Sequence, residues 1–309
     1  MKTYCDKAKV FVVIPNKNGI AHLSYSLPSL EKSTYPNYSI ILIDDYSTDD
    51  SVNFVGVHYP CAKVLTNNRK KGFAGAVNTG IAYALERGAD YIAVFNSDIK
   101  VLPEWIDLVV DVFKKKEKIG LIGFTEVMKE KGDLFYAWDI KGEVKYKEVC
   151  GFSGCLYLCP SQVFRHIGLF DEGYYMYGED NDLFARLIKA GYIILQTNIP
   201  VWHYGEGSGQ NVKLCNTWLT YRNALRFSIK NENPLMILRM LLALLNQACN
   251  PFLKRASTVP ALKRIRRYNI VFSFGLVVMS LCWNILHILR TLHARIEGSR
   301  RLAKSYRKE

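Results

Sequence analysis

The densest group of acidic side chains in this sequence lies at the start of an apolar-periodic run. Glu179, Asp180 and Asp182 are followed by a run that ends at Gly191, and this pattern predicts a helix with the acids in its first turn. Because the helix macrodipole favours negative charge there, the acids could simply stabilise the helix. A carboxylate at this place could equally accept a proton from a substrate hydroxyl. Glu179 and Asp180 are therefore candidate catalytic residues.

Polar side chains also stand where three predicted apolar strands end. The three strand ends are Pro15-Asn16, Asp44-Asp45 and Asn96 with Asp98. Asn96 and Asp98 are separated by one residue, so both can point to the same side of an extended chain. An amide oxygen beside a carboxylate suits Mg²⁺ or Mn²⁺, which proteins commonly share with phosphates. The same residue types favour turns, so a plain turn into the next helix stays open.

Apolar strands alternate with helices through the first part of the chain. Strands are predicted at 9–14, 38–43, 63–66, 90–95, 151–160 and 192–196, with shorter antiparallel strands in 134–149. Helices are predicted at 19–33, 72–87 and 103–116, after Ser161, and from the acidic group to Gly191. This alternation predicts an α/β fold with a mostly parallel sheet that helices cover. Ligands bind beyond the carboxyl ends of such strands, which is where the polar residues stand.

The cysteines and one histidine offer further candidate metal ligands. The 8 cysteines have no disulfide-framework spacing, which favours a reduced, cytoplasmic setting. Cys150, Cys155 and Cys159 lie in or beside an apolar strand without paired zinc-site spacing, so we expect them to pack rather than bind zinc. His203 lies between aromatic residues and is expected to pack as well, unless a metal lies nearby.

Positive charge is concentrated near the C-terminal end. The 309-residue chain has a net charge of +13. Lysine and arginine balance aspartate and glutamate up to Leu225, and the remaining 16 basic and 3 acidic residues carry the whole excess. These basic residues flank apolar runs and do not line one face with interleaved aromatics, so we expect no binding to nucleic acid.

The longer apolar run, 270–289, is about 30 Å long as a helix, just enough to span a bilayer. It carries a polar stripe of Ser273, Ser280, Asn284 and His287, and basic residues flank both of its ends, which argues against a simple span. We expect helices that lie on an anionic membrane surface. Two alternatives stay open: a helix that spans the membrane, and helices that pack within the protein or in a homodimer.

Taken in order, the motifs resemble those of the family 2 glycosyltransferases, which bind nucleotide-sugars on a Rossmann-like fold called GT-A. The matching segments are 12–18, 43–51, 67–80, 95–98, 151–154, 170–172, 177–182 and 202–204. One such motif is weak, but the ordered set is specific and covers roughly residues 8 to 225. Within the family, the pattern looks most like the bacterial rhamnosyl- and galactosyltransferase-like members that build surface polysaccharides.

The resemblance implies a nucleotide-binding role for the first two strand ends. Pro15 and Asn16 match the strand edge that lies along the nucleoside. Asp45 matches the acid that hydrogen-bonds the base, with Asp44 beside it. The segment from Gly72 to Asn78 matches the part that closes over the nucleotide, so we expect all of these residues to contact the donor.

The resemblance also implies a metal site and a general base. Asp98 matches the last acid of the family's D-x-D motif, whereas Asn96 replaces its first acid and should weaken the site. His203 matches a histidine that completes the metal site in some members. Asp180 matches the general base, with Glu179 as its acidic neighbour. Mn²⁺ or Mg²⁺ and a nucleoside-diphosphate sugar are thus the expected cofactor and donor.

These implications predict an inverting glycosyltransferase that transfers a sugar to a glycan or lipid-linked acceptor during surface polysaccharide synthesis. The predicted domains are residues 1–230, a GT-A catalytic domain, and residues 231–309, a basic and apolar helical region that associates with membrane. The protein is expected in the cytoplasm, peripheral on the inner face of the cell membrane. The alternative is a non-catalytic nucleotide-sugar-binding or scaffold member of a polysaccharide assembly complex, which Asn96 in an acid's place favours.

Overall fold

A computed structural model describes residues 7–128, 143–152, 154–205, 213–249 and 270–305. The chain divides into two compact units: Met1–Phe170 with Arg186–Ser208, and Asp171–Ala185 with Gly209–Glu309. This division differs from the predicted domains, because the segment Asp171–Ala185 and the helix that ends at Asn231 group with the C-terminal helices.

The described residues of the first unit form a nine-stranded sheet. Its strands are β1 (Val10–Asn16), β2 (Tyr38–Asp44), β3 (Lys63–Thr66), β4 (Tyr91–Phe95), β5 (Ile99–Lys100), β6 (Ile119–Met128), β7 (Tyr146–Glu148), β8 (Leu156–Pro160) and β9 (Ile193–His203). Their order is β3-β2-β1-β4-β8-β6-β9-β5, with β7 paired to β9. The first four strands run parallel, and β8 lies antiparallel between β4 and β6. The sheet is therefore mixed, and its parallel half forms as the apolar strands predict.

Helices in the first unit lie at the predicted places, with one addition. They are α1 (Ile20–Glu31), α2 (Ser51–His58), α3 (Gly72–Glu86), α4 (Trp105–Phe113) and α5 (Ser161–Ile167). Helix α1 buries an apolar face, because Leu23, Leu27 and Leu30 are fully enclosed. Helix α2 was not expected from the sequence, since its valines, asparagine and glycine are weak helix formers.

Helix α3 packs closely on the sheet through a glycine. A Cβ atom at Gly80 would lie 2.4 Å from Val13 Cγ1 of β1 and 2.5 Å from Ile43 Cδ1 of β2. Neither neighbour is exposed to solvent. Gly80 therefore allows α3 to pack closely against β1 and β2.

Two strands extend past their predicted ends. Strand β1 continues through Pro15 to Asn16, because its pairing with β4 ends at Val13 and the missing N–H of Pro15 removes no hydrogen bond there. Strand β9 continues to His203 because its register with β6 shifts between Gly123 and Thr125, which accommodates Pro200 at an irregularity. Of the strands predicted in 134–149, the structure shows β7, and residues 134–142 lie outside the described residues.

The second unit is helical. After a short 3-10 turn at Glu172–Tyr174 come α6 (Glu179–Lys189), α7 (Lys213–Asn231), α8 (Pro234–Cys249), α9 (Ile270–Leu286) and α10 (Ile288–Ser305). Residues of α7, α8 and α9 form its apolar core: Tyr221, Ala224, Leu225, Leu244, Ala248, Leu276 and Val277. The predicted polar stripe of α9 is buried at Ser273, Ser280 and Asn284, and the Asn284 amide donates to the Arg222 carbonyl at 3.0 Å.

The predicted apolar helix 270–289 is divided near His287. Among the described residues, no single helix is long and apolar enough to cross a membrane, although Ile270–Leu286 and Ile288–Arg300 pass that test when taken together. The two helices bend by 64° at their break. Several of their apolar side chains are strongly exposed, including Val271, Leu286 and Leu289.

Candidate active site

The loops after β1 and β2 are joined through Asn16. Its side-chain amide donates to Asp44 Oδ1 and to Ser47 Oγ, both at 3.4 Å. Its side-chain oxygen, Oδ1, is buried and accepts no hydrogen bond from the described residues. A Cβ atom at Gly19 would lie 2.3 Å from this oxygen, so only glycine fits there. Asn16 thus offers a buried acceptor beside Pro15, at the edge predicted to lie along the nucleoside.

Asp45 organises the start of α3. Its carboxylate accepts backbone N–H groups from Lys71 at 2.8 Å and from Gly72 at 2.9 Å, and the Asn67 side-chain amide at 3.0 Å. Gly72 has a φ of +70°, which favours glycine. The structure therefore shows Asp45 bound within the protein, and its contact with the base of a nucleotide stays a prediction.

Asn78 has a clear structural role. Its side chain donates to the Phe170 carbonyl at 3.0 Å and accepts the Phe170 N–H at 2.9 Å. The residue is buried in α3. Both polar ends of the amide are therefore used within the first unit, and donor binding by Asn78 stays a prediction.

Asp98, Glu126 and His203 lie together beyond the ends of the central strands. The His203 ring places Nε2 3.3 Å from Asp98 Oδ2 and Nδ1 2.5 Å from Glu126 Oε1. Only 7%, 21% and 15% of the side chains of Asp98, Glu126 and His203 are exposed. The predicted proximity of Asp98 and His203 is thus present in the structure, with Glu126 as a third member.

Strand pairing explains why these three residues meet. His203 is the last residue of β9 and pairs with Ile99 of β5, one position after Asp98. On the other side, β9 runs parallel to β6, and the pair Glu126 with Val201 brings the carboxylate to the same end of the sheet. The backbone N–H of Tyr204 also donates to the Asp98 carbonyl at 3.0 Å.

This set of donors suits a divalent cation. One ligand atom each from Glu126, Cys155 and His203 lies within 4.8 Å of the others. The side-chain oxygen of Asn96, two residues before Asp98, is buried and accepts no hydrogen bond from the described residues. Carboxylate and amide oxygens are the donors that suit Mn²⁺ and Mg²⁺, whereas imidazole is more typical of transition-metal sites. The residues present therefore fit the expected metal.

The raised pKa of His203 is consistent with a site that attracts cations. Burial disfavours its charged form, but the hydrogen bonds and negative charges of Asp98 and Glu126 outweigh burial and raise the pKa of His203 to about 9. A bound divalent cation would compete with this ring proton, because a ligating histidine is neutral. The buried Cys155 thiol has its pKa raised by burial and then by Glu126 and Asp98.

The predicted catalytic acids open α6 in the second unit. Glu179 is buried and Asp180 is half-buried. Burial, and then the nearby carboxylate of Asp180, raise the pKa of Glu179 well above its ordinary range. One oxygen of Glu179 is buried and makes no hydrogen bond within the described residues. Burial beside a second carboxylate therefore favours the protonated form of Glu179.

Helix α7 fixes the loop that leads to these acids. The Asn223 side chain donates to the carbonyls of Tyr174 at 3.0 Å, Met176 at 2.8 Å and Tyr177. Tyr175 and Tyr177 have positive φ angles, and Gly178 follows with a φ of +93°. This strained loop is held by hydrogen bonds, so the acids enter α6 from a fixed position.

A buried ionic network supports the same segment. Lys230 of α7 lies 2.8 Å from Asp171 Oδ2 and 2.8 Å from Asp182 Oδ1, and Arg226 lies 2.9 Å from Asp171. Burial would raise the pKa of Asp171, but Lys230 and Arg226 lower it to about 2. Asp182 is fully buried. It therefore anchors α6 to α7 in addition to favouring the helix start.

The sequence did not identify Glu126, Asn223 or the basic residues of α7. The sequence feature that could have identified Glu126 is its position as the one charged residue in the largely apolar strand β6. The signal in α7 is Arg222, Arg226 and Lys230 at spacings of four residues within a helix that also carries buried apolar residues. Both signals become specific only once their partners are known.

Comparison with known proteins agrees with this architecture. The chain is 27% identical to an N-acetylglucosaminyl-diphospho-decaprenol L-rhamnosyltransferase of Mycobacterium tuberculosis, over 56% of this chain and 68% of that protein. It is 26% identical to the UDP-Glc:alpha-D-GlcNAc-diphosphoundecaprenol beta-1,3-glucosyltransferase WfgD of Escherichia coli, over 61% and 76% of the two chains.

A solved structure shares the fold. The mannosyltransferase PcManGT from Pyrobaculum calidifontis, in complex with GDP-Man and Mn²⁺, superposes with a TM-score of 0.55 at 14% identity, over 97% of this chain and 87% of that one. The α/β architecture is thus that of GT-A glycosyltransferases. The model of the family described as glycosyl transferase family 2 matches residues 11–165, half of the 309 residues. The chain is a glycosyltransferase and belongs to glycosyl transferase family 2.

Proposed function

We propose that this protein is an inverting glycosyltransferase that uses a nucleoside-diphosphate sugar and a divalent cation. The observation that carries the proposal is the group of Asp98, Glu126 and His203 beyond the strand ends of a GT-A sheet. Asn96, whose buried side-chain oxygen is available, adds a neutral ligand. A cation bound there would neutralise charge that develops on the departing diphosphate.

The acceptor that we propose is a saccharide carried on a polyprenyl diphosphate, in the synthesis of a surface polysaccharide. The names of the mycobacterial and Escherichia coli relatives both specify sugar transfer to such acceptors. The exposed apolar side chains of α9 and α10, together with the basic charge of the C-terminal region, support attachment to the cytoplasmic face of a membrane, where such an acceptor would be reached.

In the proposed reaction, an acceptor hydroxyl oxygen bonds to the anomeric carbon of the donor while the carbon–oxygen bond to the diphosphate breaks. The hydroxyl proton moves to the carboxylate of Asp180. Glu179, protonated because of its burial, supplies a hydrogen-bond donor beside that base. The hydrogen bonds from Asn223 to the preceding loop keep both acids in place.

The replacement of Asp180 by asparagine tests the general base. We expect Asp180→Asn to lower sugar transfer by about 100-fold or more, because a neutral amide cannot accept the proton, and to leave donor affinity nearly intact. Transfer can be measured as nucleoside diphosphate release from UDP-, dTDP- and GDP-sugars with Mn²⁺ and a lipid-linked acceptor. Asp111→Asn, at an exposed carboxylate of α4, is the matched control. Turnover of Asp180→Asn within tenfold of the parent would contradict the assignment.

Asn96 favours a second candidate, a non-catalytic member that binds a nucleotide-sugar within an assembly complex. An amide in the place of an acid removes one charged metal ligand. Calorimetry of nucleotide binding with and without Mn²⁺, followed by the release assay, separates the two functions. Binding without any release for every donor would favour the non-catalytic function.

A further inference from the structure

A cationic cavity of about 490 Å³ lies in the second unit, in addition to the candidate active site. Residues of α7 and of the bend between α9 and α10 line it together with the start of the segment that leads to α6. The lining residues that matter here are Asp171, Arg222, Arg226, Trp283, His287 and Arg290. Glu172 also lines the cavity. No reaction step proposed above uses this cavity.

Arg222 presents an unused donor to this cavity. Its Nε donates to Asn223 Oδ1 at 2.8 Å, and its Nη2 donates to the carbonyls of Gly173 at 3.3 Å and Tyr174 at 2.5 Å. No hydrogen bond of the described residues uses its Nη1. The guanidinium lies 4.3 Å from the centre of the Trp283 ring. Burial, and then the charge of Arg226, lower the pKa of Arg222 to about 10, so an anion beside it would be stabilised.

The bend between α9 and α10 supplies further donors. The rings of Trp283 and His287 are stacked at 4.0 Å, and His287 Nδ1 lies 2.8 Å from the Trp283 carbonyl oxygen, which leaves Nε2 for another partner. Arg290 is exposed at the cavity, and no side-chain hydrogen bond or ion pair within the described chain involves it. Two arginines and an imidazole therefore converge on one cavity beside an aromatic face.

Two acidic residues, Asp171 and Glu172, lie in the wall, and Asp171 does not cancel this positive charge. Asp171 is bound by both Arg226 and Lys230, at 2.9 Å and 2.8 Å, so its charge is already balanced within the network. Arg222 and Arg290 have no such carboxylate partner in the described residues. An anion that carries more than one negative oxygen fits this arrangement, because arginine donors recognise phosphate oxygens in pairs.

Strongly exposed apolar side chains adjoin these donors along the chain. Leu286 is 81% exposed and Leu289 is 78% exposed, on either side of His287 and next to Arg290. Ile285 is 68% exposed. In a ligand with an anionic head and a long hydrocarbon chain, the head would fit the cavity and the hydrocarbon chain would contact these side chains.

We propose that this cavity binds the diphosphate of the polyprenyl-diphosphate acceptor. The inference rests on the proposed function and adds the site that holds the acceptor. Arg222, which lines the cavity, also binds the carbonyls of Gly173 and Tyr174 in the loop that leads to Glu179 and Asp180. Acceptor binding would therefore be coupled to the position of the loop that carries the catalytic acids.

Binding of farnesyl diphosphate to the full-length protein tests the proposal, with titration calorimetry in detergent as the measurement and farnesol as the uncharged comparison. We expect farnesyl diphosphate to bind, farnesol to bind far more weakly, and Arg290→Gln to weaken farnesyl diphosphate binding by about tenfold, because a charge-assisted hydrogen bond is lost. Arg300→Gln removes the same charge from the same helix without touching the cavity, and we expect a change below about twofold.

Several outcomes would overturn the proposal. One is that farnesyl diphosphate does not bind, and another is that Arg290→Gln and Arg300→Gln weaken its binding equally. A third is that vesicles of phosphatidylglycerol, or UDP, compete with farnesyl diphosphate equally well, which would identify a general lipid or nucleotide site. Arg290→Lys, which keeps the charge but not the planar fork, should bind with intermediate strength and thermal stability equal to the parent. The binding test needs no sugar transfer and can be repeated on Asp180→Asn, so its failure is distinguishable from failure of the donor-release assay.

Discussion

Replacement of Lys230 by methionine should strongly destabilise the second unit. The Lys230 side chain is 6% exposed and balances two carboxylates, Asp171 and Asp182, each at 2.8 Å. Asp171 would keep Arg226 at 2.9 Å. Asp182 is fully buried and would keep the Asn231 amide at 3.1 Å, but it would lose its ammonium partner.

The expected magnitude follows from this burial. Removing one partner of a buried ion pair leaves an uncompensated charge and typically costs about 3–5 kcal/mol of the free energy of unfolding. Adding Asp182→Asn to Lys230→Met removes the buried charge that has lost its ammonium partner, so the double variant should recover about half of the loss or more. The recovery distinguishes an unpaired charge from a lost packing contact.

Urea unfolding of the full-length chain measures both changes. Lys114→Met is the matched control, because Lys114 and Asp111 pair at 2.7 Å on the surface with 70% and 65% of their side chains exposed. We expect that control to change the free energy of unfolding by less than about 1 kcal/mol. If Lys230→Met costs no more than Lys114→Met, or if Asp182→Asn gives no recovery, the buried network does not stabilise the unit as argued.

The same network predicts a pH dependence. The folded-state pKa of Asp171 is lowered from 3.8 to about 2, so its contribution to stability is complete above 3.8 and is lost as the pH falls toward 2. That shift corresponds to about 2 kcal/mol at about 1.4 kcal/mol for each pH unit. Asp171→Asn should therefore reduce the loss of stability between pH 5 and pH 2, and an unchanged acid-unfolding profile would contradict the assignment.

Three further predictions concern the metal site, the core and the membrane. Glu126→Gln should weaken Mn²⁺ binding by about tenfold or more in calorimetry, and unchanged affinity would exclude this carboxylate as a ligand. Gly80→Val should lower the free energy of unfolding by about 1–3 kcal/mol more than Gly56→Val, which meets no atom within 4 Å, and equal losses would contradict the close packing. Leu286→Ser with Leu289→Ser should reduce co-sedimentation with anionic vesicles at least about tenfold, since each leucine contributes about 1.5–3 kcal/mol on burial; undiminished co-sedimentation would show that these side chains do not insert.

Local patterns were sufficient for most of the first unit. The apolar strands from β1 to β4 and the leucine face of α1 follow from periodicity, because a buried strand and an amphipathic helix each impose a short repeat on the sequence. The meeting of Asp98 with His203 followed from the family resemblance. Local pattern could not supply Glu126, because its approach depends on long-range pairing of β6 with β9 and on a register shift in that pair.

Tertiary contacts account for the remaining differences. The sequence predicts that Asp182 only stabilises the start of a helix. Its ion pair with Lys230 depends on the packing of α6 against α7, which the sequence does not show. Asn78 lies in a motif expected to close over a nucleotide, yet its amide is engaged by the backbone of Phe170, far away in the sequence. The break near His287 interrupts the predicted apolar run, and the sequence around it contains no proline or glycine, since the glycine of the run, Gly275, lies twelve residues earlier.

Strand β9 also determines when the candidate metal site can form during synthesis. It is the last strand among the described residues, it pairs with β5, β6 and β7, and its final residue is His203. A nascent chain can assemble the parallel strands β1 to β4 early, because their partners are already translated. Asp98 and Glu126 must wait for β9, whose pairing has a high contact order and is therefore slow. Metal affinity should consequently appear only at the end of folding, after the sheet is complete.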